Sequence, residues 1–107
     1  MPAPNSLELS VLLAVFRLGD EAYGLAVRRD VSERLGHDYS VGAVYTTLQR
    51  LEDKGLVASR ATEPVPVRGG RSRRHFRVTA AGGRAVQEAQ RVAAALWQGA
   101  PLGPEPA

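Results

Sequence analysis

Hydrophobic residues recur at helical spacing close to the start of the chain. The positions on one face are Leu9, Leu12, Leu13 and Phe16, with Val11 and Val15 beside them. This spacing predicts a helix from Leu7 to Leu18. Asn5 or Ser6 is expected to cap it, because both side chains accept hydrogen bonds from free backbone N–H groups.

A second helical stripe follows an interruption at Gly19 and Asp20. Its hydrophobic positions are Tyr23, Val27, Val31 and Leu35. The stripe predicts a helix from about Glu21 to Leu35. Asp20 is expected to be its N-cap, and Gly36 is expected to end it.

A third helix is predicted between two local signals. Ser40 is a favourable N-cap, and the helix is expected to reach Lys54 and to end at Gly55. On a helical wheel, the side expected to face the core carries Val41, Val44, Leu48 and Leu51. The opposite side carries Gly42, Thr46, Gln49, Arg50 and Asp53, with Tyr45 at its edge.

The pattern then changes to that of a hairpin followed by another helix. Leu56–Thr62 and Arg73–Val78 have the length and residue types of short strands. Residues 63–72 are rich in Pro, Gly and Arg and are expected to form an exposed loop between them. Thr79 is expected to cap a last helix that reaches about Gln98.

Three helices, a hairpin and one further helix form the order of a winged helix-turn-helix fold with a C-terminal extension. We therefore predict a mainly α fold with a small β-hairpin. The predicted organisation is a lead-in over residues 1–6, a winged-helix domain over 7–78, a C-terminal dimerisation helix over 79–98 and a disordered tail over 99–107.

Arginine supplies nearly all of the positive charge. The 107 residues include 14 Lys and Arg against 11 Asp and Glu, and Lys54 is the only lysine. Guanidinium groups bind phosphate and guanine edges, which favours an anionic partner. A GC-rich genome produces the same bias, so composition leaves both explanations open.

Several kinds of chemistry are not expected. The chain has no cysteine, and His37 and His75 are far apart in sequence, so no metal site, cofactor or disulfide is expected. The apolar stretch near the N-terminus is too short to cross a bilayer, which predicts no membrane partner and a cytoplasmic location. A chain of this length has little room for an enclosed active site, and no Ser/His/Asp grouping is evident, so an enzyme is not expected.

The outward side of the third helix has residue types that read DNA bases. Gln pairs with adenine, Arg with guanine, and Thr contacts a base edge or a thymine methyl group. Gly42 lets the backbone approach DNA closely, and Ser40 lies at the same helix N-terminus, whose free N–H groups attract phosphate. The alternative is an ordinary amphipathic helix with a solvated polar face.

The predicted hairpin is strongly basic, because no carboxylate occurs from Pro64 to Gln87. The arginines expected to contact phosphate are Arg68, Arg71, Arg73 and Arg74. Glycines among them give a tip that can settle against a nucleic-acid backbone. The alternative is a solvated basic hairpin that keeps an edge strand from aggregating. His75 is expected to point outward from its strand.

The last helix has a broader apolar surface than packing on its own core requires. One stripe comprises Ala85, Ala89, Val92 and Leu96, and a second comprises Val86, Ala93 and Trp97. Small alanines let a partner helix approach closely, which predicts a homodimer with its two reading helices one turn of DNA apart. Two alternatives stay open: both stripes pack inside the monomer, or Trp97 forms the wall of a site for a flat ligand rather than filling the dimer seam.

Three segments together resemble the PadR family of transcriptional regulators. They are Tyr23-Gly24, residues 41–57 (VGAVYTTLQRLEDKGLV) and residues 68–82 (RGGRSRRHFRVTAAG). The resemblance covers about Leu7 to Gln98 and is closest to the short subfamily, in which a single C-terminal helix makes the dimer. It implies a dimeric regulator, usually a repressor, that binds a palindromic operator in duplex DNA. The contacts that it implies are Tyr45, Thr46, Gln49, Arg50, Arg71, Arg73 and Arg74.

Some members of this group respond to planar drugs or phenolic compounds at the dimer interface, which implies a small planar effector. The chain departs from the family pattern at Phe76, where the family commonly has tyrosine, and in its short last helix with a proline-rich tail. The alternative function is a winged-helix module for protein interaction or RNA binding, without operator recognition.

Overall fold

A computed structural model describes residues 4–62 and 73–100 of the chain. This part of the chain contains four helices and two antiparallel strands. They are α1 (Ser6–Leu18), α2 (Gly24–Leu35), α3 (Val41–Asp53), β1 (Val57–Ala61), β2 (Arg74–Val78) and α4 (Ala80–Trp97). The predicted mainly α fold with a small hairpin is confirmed. We call β1, β2 and the residues between them the wing.

The first helix begins with a reciprocal cap. The side chain of Asn5 accepts a hydrogen bond from the backbone N–H of Glu8 at 2.9 Å, and the carboxylate of Glu8 accepts one from the backbone N–H of Asn5 at 3.0 Å. The predicted face of this helix is only partly buried. Val11, Leu12 and Val15 enter the core, whereas Phe16 is exposed because α1 turns these three residues toward α2 and α3.

The second helix begins later than predicted. Asp20 is not its N-cap: Gly19–Glu21 form a short 3₁₀ turn, and α2 begins at Gly24 after extended backbone at Tyr23. The physical reason is a contact distant in sequence. The backbone carbonyl of Ala22 accepts a hydrogen bond from the N–H of Phe76 at 2.9 Å. The segment at Ala22 and Tyr23 therefore lies along the free edge of β2 and has to stay extended.

The same contact corrects the expectation for His75. Its side chain does not point outward: only 8% of the residue is exposed, because the Gly19–Tyr23 segment covers it. The ring Nε2–H donates to the backbone carbonyl of Gly19 at 3.0 Å, and the ring meets Tyr23 edge-on. The histidine thus joins the base of the wing to the turn before α2.

The third helix places one face in the core, as predicted for three of its four core positions. Val44, Leu48 and Leu51 are fully buried. Val41 was predicted to be buried but is 43% exposed at the first position of α3. Thr47 is buried instead, and its hydroxyl donates to the backbone carbonyl of Ala43 at 2.8 Å, which satisfies the polar group inside the core.

The start of α4 is held against the end of α3 by a close backbone contact. The hydroxyl of Thr79 caps α4 by accepting from the N–H of Gly82 at 3.0 Å, and it donates to the carbonyl of Gly55 at 2.7 Å. A Cβ atom on Gly82 would lie 2.1 Å from the backbone carbonyl oxygen of Leu56. Only glycine therefore permits this approach.

We expect Gly82→Ala to lower the free energy of unfolding by roughly 1–3 kcal/mol, because backbone at Leu56 has to move to admit the methyl group. Gly83→Ala is the matched control. A Cβ atom there meets nothing within 4 Å, so removing the flexible glycine should raise the free energy of unfolding by about 0.5–1 kcal/mol. Urea unfolding at one protein concentration measures both changes, and equal effects of the two substitutions would contradict the close contact.

The only lysine of the chain links the end of α3 to the start of α1. Lys54, just after α3, forms an ion pair with Glu8 in the first turn of α1, and the side chain of Glu8 is only 3% exposed. Burial by itself raises the pKa of Glu8. The hydrogen bonds from Lys54 and from the Asn5 backbone, together with the charges of Lys54 and Arg50, outweigh that effect, so the pKa lies below the ordinary 4.5.

We expect Lys54→Met to lower the free energy of unfolding at neutral pH by about 3 kcal/mol, since it leaves a buried carboxylate without its partner. Because the pKa of Glu8 is lower in the folded than in the unfolded state, this stabilisation is complete above about pH 4.5 and is lost as the pH falls through the folded-state pKa. The difference between wild type and variant should therefore shrink below pH 4.5.

Chemical unfolding at a series of pH values measures this difference. Arg91→Met, which removes the exposed pair with Glu88, is the control and should leave the stability and its pH dependence nearly unchanged. A difference for Lys54→Met that stays constant from pH 7 to pH 3 would exclude the proposed role of the ion pair.

Candidate nucleic-acid interface

The side of α3 that faces away from the core is accessible along its whole length. The exposed positions are Gly42, Tyr45, Thr46, Gln49, Arg50 and Asp53, the six that the helical wheel assigned to this side. The hydroxyl of Ser40 accepts from the N–H of Ala43 at 3.1 Å, so this side chain is used as the helix cap. A Cβ atom on Gly42 would meet nothing within 4 Å. Packing inside the chain therefore gives no reason for glycine at this position.

Tyr45 leans across the N-terminus of α2. A Cβ atom on Gly24 would lie 2.2 Å from the phenol oxygen of Tyr45, so a larger residue at this position would require the end of the Tyr45 side chain to move. The ring of Tyr45 thus lies close against the start of α2.

Gln49 is held by a neighbour one helical turn later. Its side-chain amide donates to the carboxylate of Asp53 at 3.0 Å. Asp53 thereby keeps the amide pointed along the helix. This bond leaves the second amide N–H and the carbonyl oxygen of Gln49 for other partners.

The two predicted phosphate contacts that the structure describes on the wing, Arg73 and Arg74, turn in different directions. The guanidinium of Arg73 lies 4.2 Å from the centre of the Tyr23 ring, an arrangement in which the cation is attracted to the ring face. Arg74 donates to the hydroxyl of Ser59 at 2.9 Å. Arg68 and Arg71, the other two predicted phosphate contacts, lie outside the described residues.

A groove of about 620 Å³ brings the helix and the wing together. Tyr45 and Gln49 from α3 line it, and so do Arg73 and Arg74 from the wing. The structure thus assembles residues that are predicted from separate segments. Thr46 and Arg50 are exposed on the same helix but do not line this groove.

Three charged lining residues were not predicted from the sequence as interface residues: Glu21, Arg29 and Glu52. The helical pattern of α2 indicates that Arg29 faces away from the core, but periodicity alone cannot show that this direction leads to the wing. Glu52 has no local sequence signal for its role, because its partner Ser59 lies on β1.

Charge around the groove is unevenly neutralised. Within residues 4–62 and 73–100, carboxylates pair with Arg17, Arg28, Arg34, Lys54 and Arg91. In the same ranges no carboxylate lies within 4 Å of a basic nitrogen of Arg29, Arg50, Arg73 or Arg74. The cations beside the groove therefore remain available to a polyanion.

The predicted dimerisation residues divide into two groups along α4. Ala85 and Ala89 are half-buried, and Ala85 packs against the core. The residues further along are exposed: Val92 at 41%, Leu96 at 76% and Trp97 at 62%, with Ala93 also exposed. Within the described part of the chain, the second half of α4 thus extends beyond the core.

In the described part of the chain, no three His, Asp or Glu side chains are grouped closely enough to hold a metal ion. None of the four helices is long and apolar enough to cross a membrane.

The sequence pattern of the Transcriptional regulator PadR-like family matches residues 12–88. No functionally curated protein matches the chain. The match extends from the middle of α1 into α4 and includes α3 and the wing.

Solved structures share the fold. A PadR family transcriptional regulator from Eggerthella lenta DSM 2243 is 28% identical with a TM-score of 0.66, over 87% of this chain and 82% of that one. The complex structure of hsRosR-S4 is similar at 26% identity and a TM-score of 0.64, over 91% and 76% of the two chains. A PadR-like transcriptional regulator from Bacillus cereus strain ATCC 14579, at 18% identity and a TM-score of 0.69 over 86% and 84%, shows likeness of fold alone.

Proposed function

The chain belongs to the PadR-like family of transcriptional regulators, and on this basis we propose that it is a repressor that binds an inverted-repeat operator in duplex DNA as a homodimer. One observation carries the proposal: Tyr45 and Gln49 of α3 and Arg73 and Arg74 of the wing line the same groove, and no carboxylate pairs with either arginine in the described ranges. A surface that combines base-reading groups with unneutralised guanidinium groups suits duplex DNA.

The proposed base contacts come from α3. In a major groove, the amide of Gln49 suits adenine and the guanidinium of Arg50 suits guanine. Thr46 suits a base edge or a thymine methyl group. Tyr45, at the edge of this side of α3, would face the adjoining DNA backbone. Gln49 can pair with adenine through its second N–H and its carbonyl oxygen while Asp53 holds the first N–H.

The proposed phosphate contacts come from the wing and from the start of α3. Arg73 and Arg74 supply them from the described part of the wing, and Arg68 and Arg71 are proposed to act in the same way. At the start of α3, Gly42 offers open backbone, and Ser40 caps the end whose N–H groups attract phosphate. These contacts set the position of the protein, and the base contacts set its preference.

The exposed end of α4 supports the proposed homodimer. Leu96 and Trp97 have no apolar cover in the described part of their own chain. An apolar hollow of about 330 Å³ between α1 and α4, bordered by Leu9, Leu13 and Ala89, is open to a second copy. In a two-fold dimer each α4 covers the other, and the six predicted α4 residues then lie at or beside the seam. Trp97 is also the proposed contact of a planar effector at that seam.

We expect Arg73→Ala to weaken binding to any duplex and to lower the slope of log K against log salt by about one unit, because one fewer counterion is released. Arg28→Ala is the matched control, since Arg28 already pairs with Asp38, and its slope should equal that of the wild type. Fluorescence anisotropy with a labelled duplex of random sequence at several salt concentrations gives both slopes. Equal slopes for wild type and Arg73→Ala would remove Arg73 from the phosphate contacts.

The same titration separates the proposal from its alternative. Competition by an unlabelled duplex but not by RNA of the same length supports the DNA-binding proposal. Equal competition by RNA favours an RNA-binding module. Absence of duplex binding even at low salt favours a protein-interaction module.

We expect Leu96→Glu to shift the chain from dimer toward monomer, because it puts a charge into the apolar seam. Leu35→Glu is the matched control: Leu35 is 51% exposed at the end of α2, away from α4. Sedimentation equilibrium over a range of protein concentrations measures the dissociation constant of the dimer. A monomeric wild type, or the same constant for the wild type and Leu96→Glu, would contradict the proposed seam.

A further inference from the structure

A chain of two hydrogen bonds connects α3 to the wing. The carboxylate of Glu52 accepts from the hydroxyl of Ser59 at 2.8 Å, and the same hydroxyl oxygen accepts from the guanidinium of Arg74 at 2.9 Å. The direction of this chain is fixed by chemistry: a guanidinium group only donates, a carboxylate only accepts, and a hydroxyl does both. The proton of Ser59 is therefore directed to Glu52, and its lone pair is directed to Arg74.

Strand geometry explains why Arg74 reaches this hydroxyl. Ser59 is paired with Phe76 across the sheet, and Arg74 is two residues before Phe76 on β2. Alternate residues of a strand point to the same face, so Arg74 shares the face of Phe76, which is buried toward the helices. Its guanidinium is therefore directed toward α3 rather than away from the helices.

The hydroxyl of Ser59 lies between Arg74 and Glu52, so Arg74 keeps N–H donors for binding. Arg74 has no carboxylate within 4 Å in the described ranges, and it uses one donor on Ser59. An arginine has five N–H donors, so donors remain for a phosphate. A long side chain that is already oriented loses less rotamer freedom when it binds. The arrangement holds the arginine in place without neutralising it.

We propose that Glu52 and Ser59 are positioning residues of the DNA interface: they hold Arg74 at a fixed place beside Gln49, so that its phosphate contact sets the register in which α3 meets the bases and thereby increases the preference for the operator over other DNA. This inference rests on the proposed function. Charge alone gives a different expectation, because a carboxylate at the groove repels phosphate and its removal should strengthen binding to every duplex. For Glu52→Ala, charge alone therefore predicts an unchanged ratio of operator affinity to the affinity for other DNA, whereas loss of positioning predicts a lower ratio.

The test compares two duplexes of equal length and composition: one that the wild type selects from a random pool, and a scrambled version of it. We expect Ser59→Ala to lower the ratio of the two affinities about five- to tenfold. Its affinity for the scrambled duplex should stay unchanged, because no charge is altered. Ser59→Thr keeps the hydroxyl and should keep the ratio. Glu52→Ala on α3 should lower the ratio. The control is Glu33→Ala, which removes an exposed carboxylate on α2 and should leave the ratio unchanged.

Thermal unfolding shows that each variant compared is folded. Ser59→Ala and Glu52→Ala test the same chain of two hydrogen bonds independently, from two positions. If the wild type discriminates between the duplexes but Ser59→Ala and Glu52→Ala keep its ratio, the positioning role is overturned and the proposed function stands. If the wild type itself does not discriminate, operator recognition is overturned, and the positioning role with it.

Discussion

The burial of one face of α3 is the constraint on which the rest of the structure depends. Val44, Leu48 and Leu51 lie in the core together with residues of α1 and α2. Because a helix turns 100° per residue, fixing this face also fixes which side chains point away from the core. Ser40 caps the start of the helix, and Lys54 ties its end to Glu8 of α1. The helix can therefore neither rotate nor slide without the loss of these contacts.

The wing is held relative to α3 by contacts on both of its sides. On one side, the extended segment before α2 lies along β2, with the Phe76 N–H bound to Ala22 and the His75 ring bound to Gly19. On the other side, Ser59 is bound to Glu52 of α3. The two sides of the groove, α3 and the wing strands, are therefore held at a defined distance from each other. Such pre-organisation reduces the ordering that binding requires.

Local signals predicted most of the elements, and contacts distant in sequence produced the errors. Ser40 and Thr79 were found as caps because a cap depends on residues within one turn of the chain. Asp20 was misassigned although it is a good capping type, because pairing between Ala22 and Phe76 decides where α2 begins. His75 was placed outside for the same reason: strand alternation cannot reveal that a third segment covers the far edge of β2.

The same distinction between local signals and distant contacts holds for the candidate interface residues. All six residues that the helical wheel placed on the outward side of α3 are exposed, because helical periodicity determines this side, although Val41 is exposed as well. The place of Arg74 was not predictable, because it depends on the partners Ser59 and Glu52 from two other elements. The same holds for the contact between Gly24 and the ring of Tyr45, which is distant in sequence.

Selection of duplexes by the wild-type protein from a random DNA pool, followed by sequencing of the bound fragments, tests the central claim most directly. A two-fold dimer that reads bases through α3 predicts enrichment of an inverted repeat, with half-site centres about one turn of DNA, roughly 10 base pairs, apart. A pool that remains random, with no duplex retained even at low salt, would contradict operator recognition by this chain.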